Sequence, residues 1–230
     1  MITVSIANVK PLEEPALFQS AMDMASPQRR EKVLGLRLMA DRARSLGAEL
    51  LLYHALKERG LAFEELRYTY GPYGKPAFLG QDGFSYNLSH SGDYVMLAAA
   101  EQEIGCDIQR MGSENMKLAR RFFTREEVQS LEALGESEER RDLFFRLWTL
   151  KESFLKATGR GLSLPLNAFQ IVIGPDGMIS PLPYDDGKTY HFAEPQPVPG
   201  YRCAVCMADF LEKVECRVVD LREILLLKKE

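Results

Sequence analysis

Two pairs of strand-like segments limit the folds open to this chain. Residues 84–91 and 94–100 are rich in strand-forming residues and are separated by Gly92-Asp93, which predicts a hairpin with a tight turn. Residues 190–208 repeat this plan more weakly, and each pair follows a helical segment. The pattern predicts an α/β (α+β) chain of two similar halves, residues 1–104 and 105–230.

Capping residues predict where the helices begin. Ser26 followed by Pro27 predicts a helix start, and the helical periodicity continues to about residue 56. That length favours two helices, broken near Asp41. Farther along, Thr124 and Glu127 have the spacing of a capping box within a helical region. A further strong helix over 141–161 should end at Gly159.

Strand and turn signals complete the expected elements. We predict strands over 1–10, 104–109 and 201–208. The density of glycine and proline in 68–78 predicts turns without regular structure, and Pro175-Asp176-Gly177 predicts another turn.

Composition excludes several classes of protein. The 230 residues are 46% hydrophobic and 27% charged, with no apolar run long enough to span a membrane. The formal net charge of −4 is too small to indicate a nucleic acid or a membrane as partner. The first residues lack the basic and apolar pattern of a signal peptide, so we expect a reduced, cytoplasmic setting.

Cys203 and Cys206 form a Cys-x-x-Cys pair, which invites a zinc or redox interpretation. The surrounding residues predict a strand, on which side chains three positions apart face opposite sides. No second pair of cysteines or histidines completes a zinc set. We therefore expect both to be ordinary core residues.

Glu152 interrupts an apolar helix face. Phe145, Trp148 and Leu155 recur at helical spacing over 141–161, and Glu152 occupies the missing position. A carboxylate on a core-facing stripe is costly unless it is paired or binds a metal. Lys156 lies four residues on, so the alternatives are a Glu-Lys pair at the core edge and a metal-binding acid beside a phosphate-binding lysine.

Asp107 is unusual within a predicted strand, because aspartate is disfavoured there. With Cys106 and Ile108 facing the core, Asp107 and Gln109 share the opposite face. Carboxylate and amide oxygens suit a hard cation such as Mg²⁺. The alternative is a turn-forming aspartate at a strand end.

Several further side chains suit an anion. Ser89, His90 and Ser91 are adjacent donors near a strand end, and Lys75 lies in a turn. A run of basic residues is either a solvated helix face or a phosphate-binding surface: Arg29, Arg30, Lys32, Arg37, Arg42 and Arg44.

In order and spacing, these motifs resemble the Sfp-type 4′-phosphopantetheinyl transferases. The resemblance covers roughly residues 25–210 and rests on GKP (74–76), NLSHSGDYVMLA (87–98), IGCDIQ (104–109), RFFTREE (121–127) and WTLKESFLKATGRGLSLPL (148–166). It implies two α/β halves in a pseudo-twofold arrangement, with coenzyme A (CoA) bound between them. It also implies Mg²⁺-dependent transfer of 4′-phosphopantetheine from CoA to a serine of an apo carrier protein, by a monomer.

The resemblance assigns roles to individual residues. Asp107 and Glu152 match the metal-binding acids, and Gln109 stands where many relatives have glutamate. A neutral amide is a weaker Mg²⁺ ligand, and Gln109 would bind directly or through a water. Positions matching those that contact CoA are Lys75, Ser89, His90 and Lys156, with Arg29, Lys32 and Arg44 in the region that grips the 3′-phosphate.

The expected chemistry gives Glu152 the serine proton, with Lys156 and His90 supporting the phosphates and Glu127 as a second candidate for the base. The stretch 111–123 offers basic and apolar residues to an acidic carrier helix, or instead packs Phe122 and Phe123 into the core. Because of Gln109, a catalytically weakened CoA-binding or carrier-binding module is the alternative function.

Overall fold

A computed structural model describes residues 1–81, 83–174, 178–182, 184–209 and 213–226. The helices in these ranges are α1 (Pro15–Met24), α2 (Pro27–Gly35), α3 (Met39–Lys57), α4 (Met116–Phe122), α5 (Arg125–Ala133), α6 (Glu138–Thr158) and α7 (Leu221–Leu226). Short 3₁₀ turns occupy Lys10–Glu13, Phe63–Glu65, Gly161–Ser163 and Leu166–Ala168. Among the described helices, none combines the length and apolar character needed to cross a bilayer.

The strands alternate with these helices along the chain. They are β1 (Ile2–Asn8), β2 (Tyr68–Tyr70), β3 (Pro76–Phe78), β4 (Ser85–Ser91), β5 (Tyr94–Ala100), β6 (Ile104–Arg110), β7 (Gln170–Ile173), β8 (Ile179–Leu182), β9 (Tyr190–Ala193), β10 (Tyr201–Ala208) and β11 (Val214–Val218).

The strands form two main sheets and two small hairpins. One main sheet has the order β11-β1-β5-β4 and the other β6-β10-β9, while β2-β3 and β7-β8 pair separately. The expected mixed α and β fold is confirmed. An apolar core lies between the main sheets, and a further core packs the helices onto each sheet.

The element order repeats along the chain. The first part runs β1, three helices, the hairpin β2-β3, and then β4 and β5, with the sheet order β1-β5-β4. The second runs β6, three helices, the hairpin β7-β8, and then β9 and β10, with the sheet order β6-β10-β9. This repeat agrees with two halves of similar plan, while the boundary at residue 105 and the pseudo-twofold arrangement stay predictions. The last strand, β11, returns to pair in parallel with β1.

Capping explains several helix ends. The Ser26 hydroxyl accepts the Arg29 amide at the start of α2, and Thr124 and Glu127 form the predicted capping box of α5. The α6 helix ends at Gly159, whose φ of 68° lies in the left-handed region that favours a residue without a side chain.

Two local predictions were wrong. Residues 68–78 form the hairpin β2-β3, because Gly71 and Gly74 close a turn between two short paired strands. The break between α2 and α3 falls at residues 36–38 rather than near Asp41, because Leu36 and Leu38 take extended backbone angles. The predicted turn at 175–177 lies outside the described residues, although the flanking β7 and β8 do pair.

Candidate functional site

Gly105 sets the position of the candidate site. A side-chain Cβ at this glycine would collide with the Ser153 carbonyl oxygen and the Ala157 amide nitrogen of α6. Strand β6 therefore lies directly against the backbone of α6. This approach brings Asp107 next to one acid and one base of the helix, Glu152 and Lys156.

Asp107 is a buried carboxylate with one oxygen satisfied and one free. Its side chain is 7% exposed. The Oδ1 atom accepts the Ser89 hydroxyl at 2.6 Å and the Lys156 ammonium at 2.8 Å. The Oδ2 atom is buried without a hydrogen-bond partner among the described residues. A buried oxygen of this kind is costly unless something else binds it.

The Lys156 ammonium makes three hydrogen bonds within this site. It donates to Asp107 Oδ1, to the Cys106 carbonyl at 3.0 Å and to the Ser89 hydroxyl at 3.1 Å. Burial lowers the pKa of Lys156, but the charge and hydrogen bond of Asp107 together with Cys106 and Glu152 outweigh it, and the pKa is raised. The lysine stays charged and holds Asp107 from one side.

Glu152 faces the same acid without a partner of its own. In the part of the chain that is described, its carboxylate makes no hydrogen bond or ion pair. Burial and then the Asp107 charge raise the pKa of Glu152, and Lys156 only partly opposes them. Two carboxylates with too little positive charge between them form a place where a cation is favourable.

Gln109 lies next along β6, on the same face as Asp107. Its Oε1 atom accepts the Ser91 hydroxyl. The described residues contain no cluster of three or more His, Cys, Asp or Glu side chains suited to a metal. A cation here would therefore take two carboxylates and complete its shell with the Gln109 amide, water or a ligand's phosphate oxygens.

His90 points to the other side of β4 from the two serines, with part of the residue open to solvent. Burial of the ring and the nearby charges of Arg44, Lys156 and Lys32 lower the pKa of His90. These predicted phosphate-binding residues therefore share one electrostatic environment. Arg44 is held in place by the Gly92 carbonyl, at 2.8 Å, and by Asp41.

Arg29 and Lys75 are tied to the protein instead. Arg29 contacts the buried Glu49 at 3.4 Å and Ser45 at 3.2 Å, which links α2 to α3. Lys75 donates to Glu103 and to the Ile104 carbonyl at 3.0 Å. Either residue must give up such a contact in order to reach a phosphate.

A cavity of about 750 Å³ lies beside Lys75. It is lined by the β2-β3 hairpin, by the turn between β5 and β6 and by the end of α6, including Tyr73, Tyr86 and Gly159. This volume is in the usual range for small-molecule sites.

Glu127 is buried, and both of its carboxylate oxygens have hydrogen-bond partners. It is 2% exposed and pairs with Lys151, 0% exposed, at 2.9 Å. Its Oε1 accepts the Ile171 amide and its Oε2 the Thr124 amide, both at 2.8 Å. This position argues against Glu127 as the proton acceptor.

The stretch 111–123 was interpreted either as a docking surface for the carrier or as a segment that packs into the core, and it has features of both. Phe123 is buried and Phe122 packs edge-on against Trp148, as the core interpretation predicts. Lys117 and Leu118 on α4 are exposed, and Arg120 pairs with Glu132 on the surface. Basic and apolar groups thus remain available on this helix.

The four cysteines are free thiols. Cys203 packs into the core between the sheets and Cys206 into the core of the second sheet and its helices, on opposite faces of β10 as predicted. The sequence reasoning missed the contact of Ser91 with Gln109 and the role of Asn87, which accepts the Cys106 amide at 3.0 Å. The polar alternation Asn87, Ser89, Ser91 on one strand face was the signal that could have found them.

Family models match most of the chain. Residues 103–206 match the 4′-phosphopantetheinyl transferase superfamily, and residues 10–102 match the 4′-phosphopantetheinyl transferase N-terminal family. The relatives include 4′-phosphopantetheinyl transferase Sfp of Bacillus subtilis, 34% identical over 196 residues, covering 84% of this chain and 87% of the relative. The transferase psf-1 of Bacillus pumilus is 33% identical, covering 86% and 82%.

More distant similarity extends to animals. The L-aminoadipate-semialdehyde dehydrogenase-phosphopantetheinyl transferase of Rattus norvegicus is 29% identical, covering 78% of this chain and 60% of the relative. A solved structure of Thermotoga maritima holo-[acyl-carrier-protein] synthase aligns with a TM-score of 0.39 and 18% identity, covering 48% of this chain and 64% of that one, which is too low to support a conclusion. The two Bacillus relatives are sufficient: the chain belongs to the 4′-phosphopantetheinyl transferase superfamily, a family of transferases.

Proposed function

We propose that this protein transfers 4′-phosphopantetheine from CoA to a serine hydroxyl of an apo acyl or peptidyl carrier protein, giving the holo carrier and adenosine 3′,5′-bisphosphate. Family membership supports the reaction. The observation that carries the assignment of the site is the buried Oδ2 of Asp107 beside Glu152, which has no hydrogen-bond partner in the described part of the chain. Such a pair suits a cation that also binds phosphate.

The donors present fit Mg²⁺. This ion takes one or two protein carboxylates and keeps water and substrate phosphate oxygens in its remaining positions. Asp107 and Glu152 would supply the carboxylates and Gln109 an amide oxygen. When bound, Mg²⁺ would neutralise negative charge that develops on the pyrophosphate.

The chain's own residues have distinct tasks in this proposal. Glu152 accepts the proton of the carrier serine, directly or through a water, as the serine oxygen attacks the β-phosphorus and the bond to the α-phosphate oxygen breaks. Lys156 holds Oδ1 of Asp107 through its 2.8 Å contact and adds positive charge near the phosphates.

A positive surface would hold the nucleotide. His90, Arg44 and Lys32 interact electrostatically, and their clustered donors suit a phosphate group. Arg29 and Lys75 are further candidates from the resemblance, while the Ser89 hydroxyl is already bonded to Asp107, Ile108 and Lys156. The cavity beside Lys75 has room for part of CoA.

Mass spectrometry of the carrier tests the reaction. The protein is incubated with CoA, Mg²⁺ and each of several apo carriers, and we expect the mass of at least one carrier to rise by one phosphopantetheine group. Folded protein that modifies none of the carriers would contradict the transferase function. Binding of CoA without modification would favour the alternative, a weakened CoA-binding module, for which the neutral Gln109 is the supporting feature.

Glu152→Gln tests the proton acceptor. We expect turnover to fall by about 10² or more, while CoA binding measured by calorimetry persists. Glu139→Gln is the matched control, because Glu139 lies exposed on the same helix. Equal activity of both variants would remove Glu152 from the mechanism.

Lys117→Glu tests α4 as a docking surface for an acidic carrier. The Lys117 ammonium is exposed and makes no ion pair among the described residues. We expect a higher KM for the carrier and unchanged CoA binding, whereas the exposed Lys213→Glu should leave both unchanged. Unaltered carrier kinetics in the first variant would exclude this surface.

We further infer that the protein acts in the cytoplasm, a reducing setting that suits its free cysteines. We also infer that it is a monomer, because one chain supplies both of the edge strands, β4 and β6, at which the site lies. Light scattering at working concentrations tests the monomer, and a stable dimer would contradict it.

A further inference from the structure

Side chains, rather than a backbone ladder, join the two main sheets. Strands β4 and β6 are edge strands of different sheets. Three β4 side chains, two residues apart, accept three β6 amides: Asn87 from Cys106 at 3.0 Å, Ser89 from Ile108 at 3.4 Å and Ser91 from Arg110 at 3.1 Å. We call these three residues the polar seam.

The two serines of the polar seam also face the candidate metal ligands. A serine hydroxyl has one proton to donate and two lone pairs that accept. Because both hydroxyls accept from β6, their single protons are directed elsewhere. The Ser89 proton goes to Asp107 Oδ1, and the Ser91 proton goes to Gln109 Oε1.

Asn87 provides an internal comparison. Its side-chain oxygen accepts a β6 amide as the serines do, but it makes no hydrogen bond to Asp107, Glu152 or Gln109 among the described residues. It therefore shares the structural task of the polar seam without the contact to a ligand.

We propose that Ser89 and Ser91 are positioning residues for the cation site: they hold the Asp107 carboxylate and the Gln109 amide in a fixed orientation. Ser89 and Lys156 together occupy Oδ1 of Asp107, which leaves Oδ2 as the buried oxygen without a partner among the residues described. The inference rests on the proposed function and differs from the expectation that Ser89 contacts a phosphate. Partners that orient metal ligands typically contribute about 10- to 100-fold to metal affinity.

Mn²⁺ is a suitable probe, because its electron paramagnetic resonance signal reports the free ion. The full-length protein saturated with CoA, without carrier, is titrated with Mn²⁺. We expect Ser89→Ala to weaken Mn²⁺ binding by about 10- to 100-fold and Ser91→Ala to weaken it less, because an amide is the weaker ligand. Asn87→Ala should leave Mn²⁺ affinity unchanged, although it removes an equivalent contact of the seam.

A second measurement separates positioning from phosphate binding. Binding of adenosine 3′,5′-bisphosphate in the presence of a chelator should be unchanged in Ser89→Ala, whereas a direct phosphate contact would weaken it. Either a loss of bisphosphate affinity or an equal loss of Mn²⁺ affinity in Asn87→Ala would overturn the proposal.

The outcomes also distinguish this inference from the proposed function. Wild-type protein that binds no Mn²⁺ with CoA would remove the metal site itself. Wild-type binding that Ser89→Ala leaves intact would overturn only the positioning role. Should Ser89→Ala not fold, as judged by circular dichroism, Ser91→Ala carries the same test at the half-buried end of the seam.

Discussion

Lys151 is a fully buried cation next to Glu152, and its removal should be costly. Its ammonium donates to Glu127 at 2.9 Å and to the carbonyls of Leu166 at 2.9 Å and Phe169 at 2.5 Å. It also lies 4.4 Å from the centre of the Phe169 ring. These contacts join α6 to α5 and to the segment that leads into β7.

The cost of Lys151→Met follows from what would remain. Glu127 keeps two amide donors but loses its counter-charge at 2% exposure, and two carbonyls lose a donor. Removing one partner of a buried ion pair typically costs about 3–5 kcal/mol. This is a large part of the roughly 5–15 kcal/mol by which domains are stable.

Urea unfolding followed by circular dichroism measures this loss. In Glu127→Gln/Lys151→Met both charges are gone, so the double variant should be more stable than the sum of the single effects predicts, by about 1–3 kcal/mol. Lys188→Met, an exposed lysine, is the control. A loss below about 1 kcal/mol in Lys151→Met, or additive single effects, would refute the reasoning.

Three other changes test the site. Gly105→Ala should push β6 away from α6, so that stability falls by about 1–3 kcal/mol and activity is lost, whereas the same change at exposed Gly112 should alter neither. Arg44→Ala removes a positive charge that helps lower the pKa of His90, so nuclear magnetic resonance should show that pKa moving upward; an unchanged or lower value contradicts the assignment. Finally, a chelator should abolish carrier modification and added Mg²⁺ should restore it; full activity in the chelator would exclude the cation.

Much of the fold was predictable because its signals are local. The caps at Ser26 and Thr124, the stop at Gly159 and the turn at Gly92 each depend on a few neighbouring residues. The hairpin β2-β3 was missed because its strands have only three residues each, too few for a clear alternation.

For the candidate site, the sequence predicted which residues take part but not which of them contact each other. Glu152 and Asp107 were singled out because a carboxylate is unfavourable on an apolar helix face or within a strand. The ion pair of Glu127 with Lys151 gave no such signal, since a buried pair is recognised only when both partners are seen together. Local patterns identified the side chains but not their partners.

The sequence by itself determined α2, α3, α5 and α6, most strands, the family resemblance and the two acids, because each depends on neighbours along the chain. The tertiary structure decided which residues meet: Ser89 with Asp107, Ser91 with Gln109, and Glu127 with Lys151 rather than with solvent. These contacts cross 18 to 24 positions of sequence or join separate sheets. They arise because Gly105 lets β6 lie against α6 and because edge strands β4 and β6 share side-chain hydrogen bonds.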